Sequence, residues 1–169
     1  MKHKWDWAGN IGRKRYQAKV DANISLKRKD GSTIEEEVFR QATAAEAFGV
    51  FLVGQSLNED ILIHGDPGYD CLLNLQVEII HLGFAKNGKP RKKDDWFVIV
   101  DPKQKWRWAN IYIAIAGSIE TDFRCAGWTT HSKLVTYPMK DFGWGKRYAQ
   151  PTDKLYNIKT LQELCWLPS

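Results

Sequence analysis

The sequence predicts an α/β or α+β domain built on one mixed sheet, and three observations carry that prediction. Residues 34–53 repeat their apolar side chains at helical spacing. The runs QVEIIHLGF, WFVIV and NIYIAIAG have the short, β-branched, nearly unbroken apolar character of buried strands. The order along the chain is helix, strands, short helix and irregular tail, which suits helices packed on a sheet. With 169 residues, of which 43% are hydrophobic, the chain has material for one domain with a core of its own.

Taken in order, residues 1–30 read as a basic N-terminal arm, and residues 31–169 as a single domain with an irregular C-terminal tail. Within the arm, residues 16–26 read as extended chain or a strand, and KRKDG reads as a turn. Ser32-Thr33-Ile34-Glu35 matches a capping box, in which Ser32 and Glu35 each satisfy a backbone amide near the other. The helix that follows has its apolar face on Ile34, Val38, Ala42, Ala45, Phe48 and Leu52, with Gly54 as its stop. ILIHGDPGYDCLLNLQVEIIHLGF reads as two strands, with Asp66-Pro67-Gly68 bending the chain between them. Residues 96–100 and 111–116 read as central strands covered on both faces. DFRCAGW reads as a short strand, THSKLVTYP as a short helix capped near Thr130, and the tail as loops ending in an amphipathic turn or two.

Charge narrows the class. The net charge of +5 is modest, but it is concentrated in two segments. Lys2, Lys4, Arg13, Lys14, Arg15, Lys19, Lys27, Arg28 and Lys29 fill the first thirty residues. Lys86, Lys89, Arg91, Lys92, Lys93, Lys103, Lys105 and Arg107 follow later. Trp5, Trp7, Trp96, Trp106 and Trp108 are set among them, a mixture that suits a polyanion with stackable bases. Lys146 and Arg147, in GWGKRY, combine cations with aromatics in the same way. No apolar run approaches the ~20 residues of a membrane helix, so no membrane partner is expected. The start MKHKWDWAGNIGRKRY lacks the apolar segment of a secretory signal. Cys71, Cys125 and Cys165 are odd in number and far apart. Together these predict a reducing, cytoplasmic setting. The four histidines show no zinc spacing, and no nucleophile elbow or phosphate loop is present.

The chemistry candidates are carboxylates. Glu46 lies on the predicted helix, Asp70 follows the bend, and Glu78 sits in an apolar strand between Val77 and Ile79. A carboxylate in a buried strand is expensive unless it is paired or bound to a cation. Three acids from a helix, a turn and a strand can converge on one Mg2+ or Mn2+. Such an ion takes oxygen ligands and leaves room for water and phosphate. Gln76 shares the strand face of Glu78 and can hydrogen-bond water or phosphate.

GDPGYD followed by VEII resembles the active-site signature of the PD-(D/E)XK nuclease superfamily. WANIYIAIAG and then CAGWTTHSKL are similar to its small phage and bacterial members. The resemblance spans residues 32–164 and implies a restriction-endonuclease-like mixed central sheet flanked by helices. It implies Asp70 and Glu78 as metal ligands, Glu46 as an outer or third ligand, and a lysine two residues after Glu78. Ile80 stands in that place. Isoleucine can neither orient water nor stabilise a pentavalent phosphate, so a substitute cation is expected from Lys86, Lys89 or Arg91, or from His64.

Two readings stay open. One is a metal-dependent endonuclease-like protein acting on DNA phosphodiesters. Its catalytic set is Asp70, Glu78, Glu46 and Lys86, and it grips nucleic acid through Arg13, Lys14, Arg15, Lys89, Arg91, Lys92, Lys93, Lys146 and Arg147. A homodimer would suit cleavage of both strands. The other is a catalytically inactive nuclease-fold protein that binds DNA or acts as an inhibitor or decoy of a partner protein. A plain interaction module with structural carboxylates is a third and barer alternative.

Overall fold

The computed structural model describes residues 1–27, 33–61, 71–72, 75–83, 96–105, 108–143 and 145–166, with only the backbone at 71, 72 and 166. Its first element is a helix, α1 (Asp6–Asp21). Most of the segment read as an extended arm is therefore helical. Ala8, Gly9, Ile11 and Gly12 are buried along one side, a stripe of mostly small residues at three- and four-residue spacing. That stripe lets α1 lie close on α2 (Glu36–Leu52). A Cβ at Gly12 would run into the carbonyl oxygen of Phe39 and stand 2.9 Å from Thr43 Oγ1.

Helix α2 begins one residue after Glu35, which occupies the N-cap position without a side-chain capping bond, and it ends two residues before Gly54. Ser32, the other half of the expected capping box, lies outside the described residues, as do His64 and Asp66. From Gln41 to Val50 the helix is buried on nearly all sides, at Gln41, Thr43, Ala44, Ala45, Ala47, Gly49 and Val50. The cause is its position between α1 and a sheet, so the narrow stripe expected from Val38 and Ala42 is not the whole buried face.

The sheet has four strands in the order β1 (Cys71–Leu72), β2 (Gln76–His81), β4 (Ile111–Ser118) and β5 (Asp122–Thr130). Strand β2 runs antiparallel to β1 and parallel to β4, and β4 is antiparallel to β5, so the sheet is mixed. Strand β4 is central and covered on both faces, as expected. The chain between β2 and β4 contributes β3 (Phe97–Val100) to a second sheet, ordered β3, β7 (Lys146–Pro151), β6 (Met139–Asp141). Two sheets thus replace the single one expected, and β3 is an edge strand rather than a central one. Its apolar run is explained by Val98 and Val100, which are buried against the first sheet. The tail read as irregular supplies β6 and β7, a 3-10 turn at Thr152–Lys154, and a final helix, α4 (Ile158–Trp166).

The result is three layers. Helices α1, α2 and α4 cover one face of the first sheet, with Ala8, Val50, Val77, Ile113, Ile115 and Leu161 in the seam. The second sheet and a short helix, α3 (His131–Leu134), cover the other, with Leu82, Val98, Tyr112, Ala114 and Leu134 in that seam. Thr130 caps α3, accepting from the Lys133 amide at 3.1 Å, as its sequence predicts. A β-bulge lies between Cys125 and Gly127. The extra residue reverses the alternation of β5, so Phe123, Cys125 and Trp128 all meet the helical seam. Gly127 (φ 142°) also admits the returning chain, because a Cβ there would stand 2.6 Å from Leu155 Cβ and 2.7 Å from Tyr156 O. No helix among the described residues is long and apolar enough to cross a membrane.

Candidate functional site

Strand alternation decides which way each side chain of β2 faces. Val77 and Ile79 pack into the helical seam, where Ile79 lies directly under Gly49 of α2. Glu78 and Ile80 therefore face the second sheet. Glu78 is half-buried and stands in register with Tyr112 of β4. Ile80, in the place of the expected lysine, packs against the apolar seam containing Leu82 and Val98. The starts of β2 and β4 are joined by Asn110. Its side-chain oxygen accepts from the Gln76 amide at 2.9 Å, and its own amide donates to Gln76 O at 2.9 Å.

Tyr112 organises the polar part of this face. It is fully buried, and its hydroxyl accepts the Ala109 amide at 3.2 Å. The hydroxyl also lies 3.0 Å from His131 Nδ1. Burial, with a smaller contribution from the charge of Glu78, raises the phenol far above its ordinary value despite the Ala109 bond, so it stays protonated. Its oxygen already accepts the Ala109 amide, so donation of the phenolic proton to Nδ1 satisfies both groups, and in that arrangement the proton of a neutral His131 ring sits on Nε2. Burial also lowers the pKa of His131, in keeping with a neutral ring. His131 is the first residue of α3, and its amide donates to Asn110 O at 2.9 Å. Its ring stacks on Trp108 at 4.3 Å between centroids. The Trp108 indole N–H donates to Asp101 O at 3.0 Å, and the Asp101 carboxylate pairs with Arg147 at 3.5 Å. The imidazole is thus fixed from two sides, and its outward nitrogen is a donor.

The residues singled out in the sequence do not all gather here. Glu46 is on the opposite side of the sheet, where Arg15 Nη1 meets its carboxylate at 3.1 Å and both side chains are largely buried. It is not a neighbour of Glu78, because α2 covers the face that Val77 and Ile79 occupy. Arg15 also donates to the carbonyls of Asn58 and Asp60, so it tethers a loop rather than offering a free cation. Arg147, read as a nucleic-acid contact, is buried beside Asp101 for the same structural reason. Lys14 and Lys146 are exposed, and Arg13 is half-exposed, 3.8 Å from Glu36. Asp70, Lys86, Lys89, Arg91, Lys92 and Lys93 lie outside the described residues. Among the described residues no group of three or more His, Cys, Asp or Glu side chains could hold a metal.

Sequence reasoning passed over Tyr112 and His131. A tyrosine amid isoleucines and a histidine just after a Thr-Thr cap were available signals, but only the register of β2 on β4 sets Tyr112 beside Glu78, and only the fold brings His131 to its hydroxyl. Comparison with protein-family models, with curated proteins and with solved structures finds no match to this chain.

Proposed function

We propose that this chain is a metal-dependent, endonuclease-like protein acting on DNA phosphodiesters, with the restriction-endonuclease-like lineage that its GDPGYD and VEII segments resemble. The observation that supports this reading is the single face shared by the Glu78 carboxylate and the Tyr112–His131 pair. Asp70 and Glu78 are the residues that would hold Mg2+ or Mn2+. A hard cation accepts one or two carboxylates and fills its shell with water and phosphate oxygens, so the donor chemistry of Glu78 fits without Glu46. When bound, the ion supplies a Lewis acid for the phosphoryl oxygen and acidifies water. His131 donates from Nε2 to a phosphate oxygen, and Tyr112 is the positioning residue that holds its tautomer. Lys86 is the substitute for the missing lysine, and Lys14 and Lys146 contribute to the grip on the backbone.

Nicking of supercoiled DNA in Mg2+ or Mn2+ tests this. Glu78→Ala should abolish nicking, and His131→Ala should lower it by about 10². Absence of cleavage under all these conditions would refute the hydrolytic reading. The packing of Ile80 into the apolar seam favours a second reading, a non-cleaving DNA binder or an inhibitor of a partner protein. That reading predicts salt-sensitive DNA binding without nicking, and a gain of nicking in Ile80→Lys.

A further inference from the structure

The exposed cations are not spread evenly over the fold, and strand β4 gives the scale. It runs from Ile111 to Ser118, about 23 Å. At its far end Asp6, Glu37 and Glu120 share the Arg40 guanidinium, and Asp122 pairs in register with Ser118. Carboxylates outnumber cations in that group. At the near end, where Asn110 joins β2 to β4, the balance is reversed.

Three segments meet at the near end. Asp101, just after β3, pairs with Arg147 of β7. The Trp108 indole donates to Asp101 O, and its ring stacks on His131 of α3. These contacts bring together Lys103 and Lys105 on the turn after β3, Lys133 on α3, and Lys146 at the start of β7. All four are exposed, and none forms an ion pair among the described residues. The carboxylates beside them have other partners: Asp101 holds Arg147 and accepts the Lys103 amide, and Asp141 accepts the Gly143 amide. Lys140 is turned back over the Phe97 ring, at 4.1 Å, and is not one of the set. The rings at this end are packed inward. Trp108 is half-buried against His131, Tyr112 is fully buried, and Tyr148 packs on the second seam. Of the large apolar side chains described here only Leu75 and Met139 are exposed, and neither carries a ring.

We propose that this end of the molecule is a docking surface for the phosphate backbone of duplex DNA, held by Lys103, Lys105, Lys133 and Lys146 around the His131 ring. The proposal rests on the DNA reading above and adds the form of the ligand and the surface that holds it. Unpaired ammonium groups suit phosphates, whose contacts position a duplex without reading its sequence. A single strand is gripped by exposed rings that stack its bases, and a lipid surface by inserted aromatic and apolar side chains. The described residues here offer neither. The acidic far end repels the same polyanion, so approach is steered to the lysine end.

Fluorescence anisotropy of a short labelled duplex tests this with the full chain in EDTA, where cleavage does not contribute. The logarithm of the affinity should fall against the logarithm of salt with a slope of at least about −3.6, or about −0.9 for each of four phosphates. Lys103→Gln, Lys105→Gln, Lys133→Gln and Lys146→Gln should each reduce that slope by about 0.9 and weaken binding about fivefold to tenfold at roughly 0.1 M salt. Lys159→Gln, at an exposed position on α4, should change neither, and the matching single strand should bind more weakly than the duplex. Absence of duplex binding, a slope that the four substitutions leave unchanged, an equal loss in Lys159→Gln, or tighter binding of the single strand would overturn the proposal. Nicking in Mg2+ is read separately. Duplex binding without nicking keeps this surface and removes the hydrolytic reading, whereas nicking that the four substitutions leave unchanged keeps that reading and removes this surface.

Discussion

Tyr112 shows how one side chain, silent in the sequence, acquires a role by being buried. Its hydroxyl is satisfied by an amide on one side and an imidazole on the other, and burial keeps it protonated. His81 is held in a related way. Burial lowers its pKa, while its Nε2–H donates to Gly117 O at 2.8 Å. Burial disfavours the protonated form of both histidines in the fold, whereas the unfolded chain protonates at the ordinary value. Stability is therefore fully present above the ordinary histidine value of 6.5 and falls as pH drops below it, because the unfolded chain then binds more protons. Glu120 adds a second step. Burial alone would raise its pKa, but hydrogen bonds from Arg40 and Gln41 outweigh this and bring it down to about 2. Its contribution is present above 4.5 and lost between 4.5 and about 2. Urea midpoints measured across this range should be flat near neutrality, decline below 6.5, and decline again below 4.5; a midpoint that rises on acidification to pH ~5.5 would contradict the assignment.

Helices and strands show which local signals survive folding. The α2 period and the Thr130 cap were legible because each depends on residues close in sequence. Helix α1 was missed because its buried stripe is, apart from Ile11, alanine and glycine, which carry little apolar signal, and because its cations suggested a solvated arm. The pairing of β5 was only half legible, since a bulge breaks its alternation. Gly12 provides an element-scale prediction. Alanine is the better helix former by about 1 kcal/mol, so an isolated helix would gain from Gly12→Ala. Here the added methyl group meets the Phe39 carbonyl of α2, and the backbone cannot step aside. The variant should lose about 1–3 kcal/mol in chemical denaturation. A neutral or stabilising result would mean that α1 does not pack on α2 as described.

The whole molecule depends on the joining of its two sheets. Thr129 of β5 and Gln150 of β7 are both fully buried, and the threonine hydroxyl donates to Gln150 Oε1 at 2.8 Å. The glutamine amide in turn donates to Lys154 O at 3.0 Å. This polar link sits inside an apolar seam, where losing one partner leaves the other desolvated and unpaired. Thr129→Val and Gln150→Leu should each cost about 1–3 kcal/mol, and the double variant should cost clearly less than their sum. Strict additivity in urea denaturation would show that the sheets are not coupled through this bond.

At the same scale, the sequence by itself determined the helical period of α2, the strand character of β2, β3 and β4, the cap of α3, and the shared strand face of Glu78 and Ile80. Each of these follows from repeats of two or of 3.6 residues, which are fixed by backbone geometry. Only the tertiary structure decided that β3 leaves the first sheet and that Glu46 and Arg147 are held in structural ion pairs. It alone set Tyr112 beside Glu78 and brought His131 to the Tyr112 hydroxyl. Those outcomes rest on long-range pairing and on which surfaces remain to be buried, quantities no local window of sequence contains.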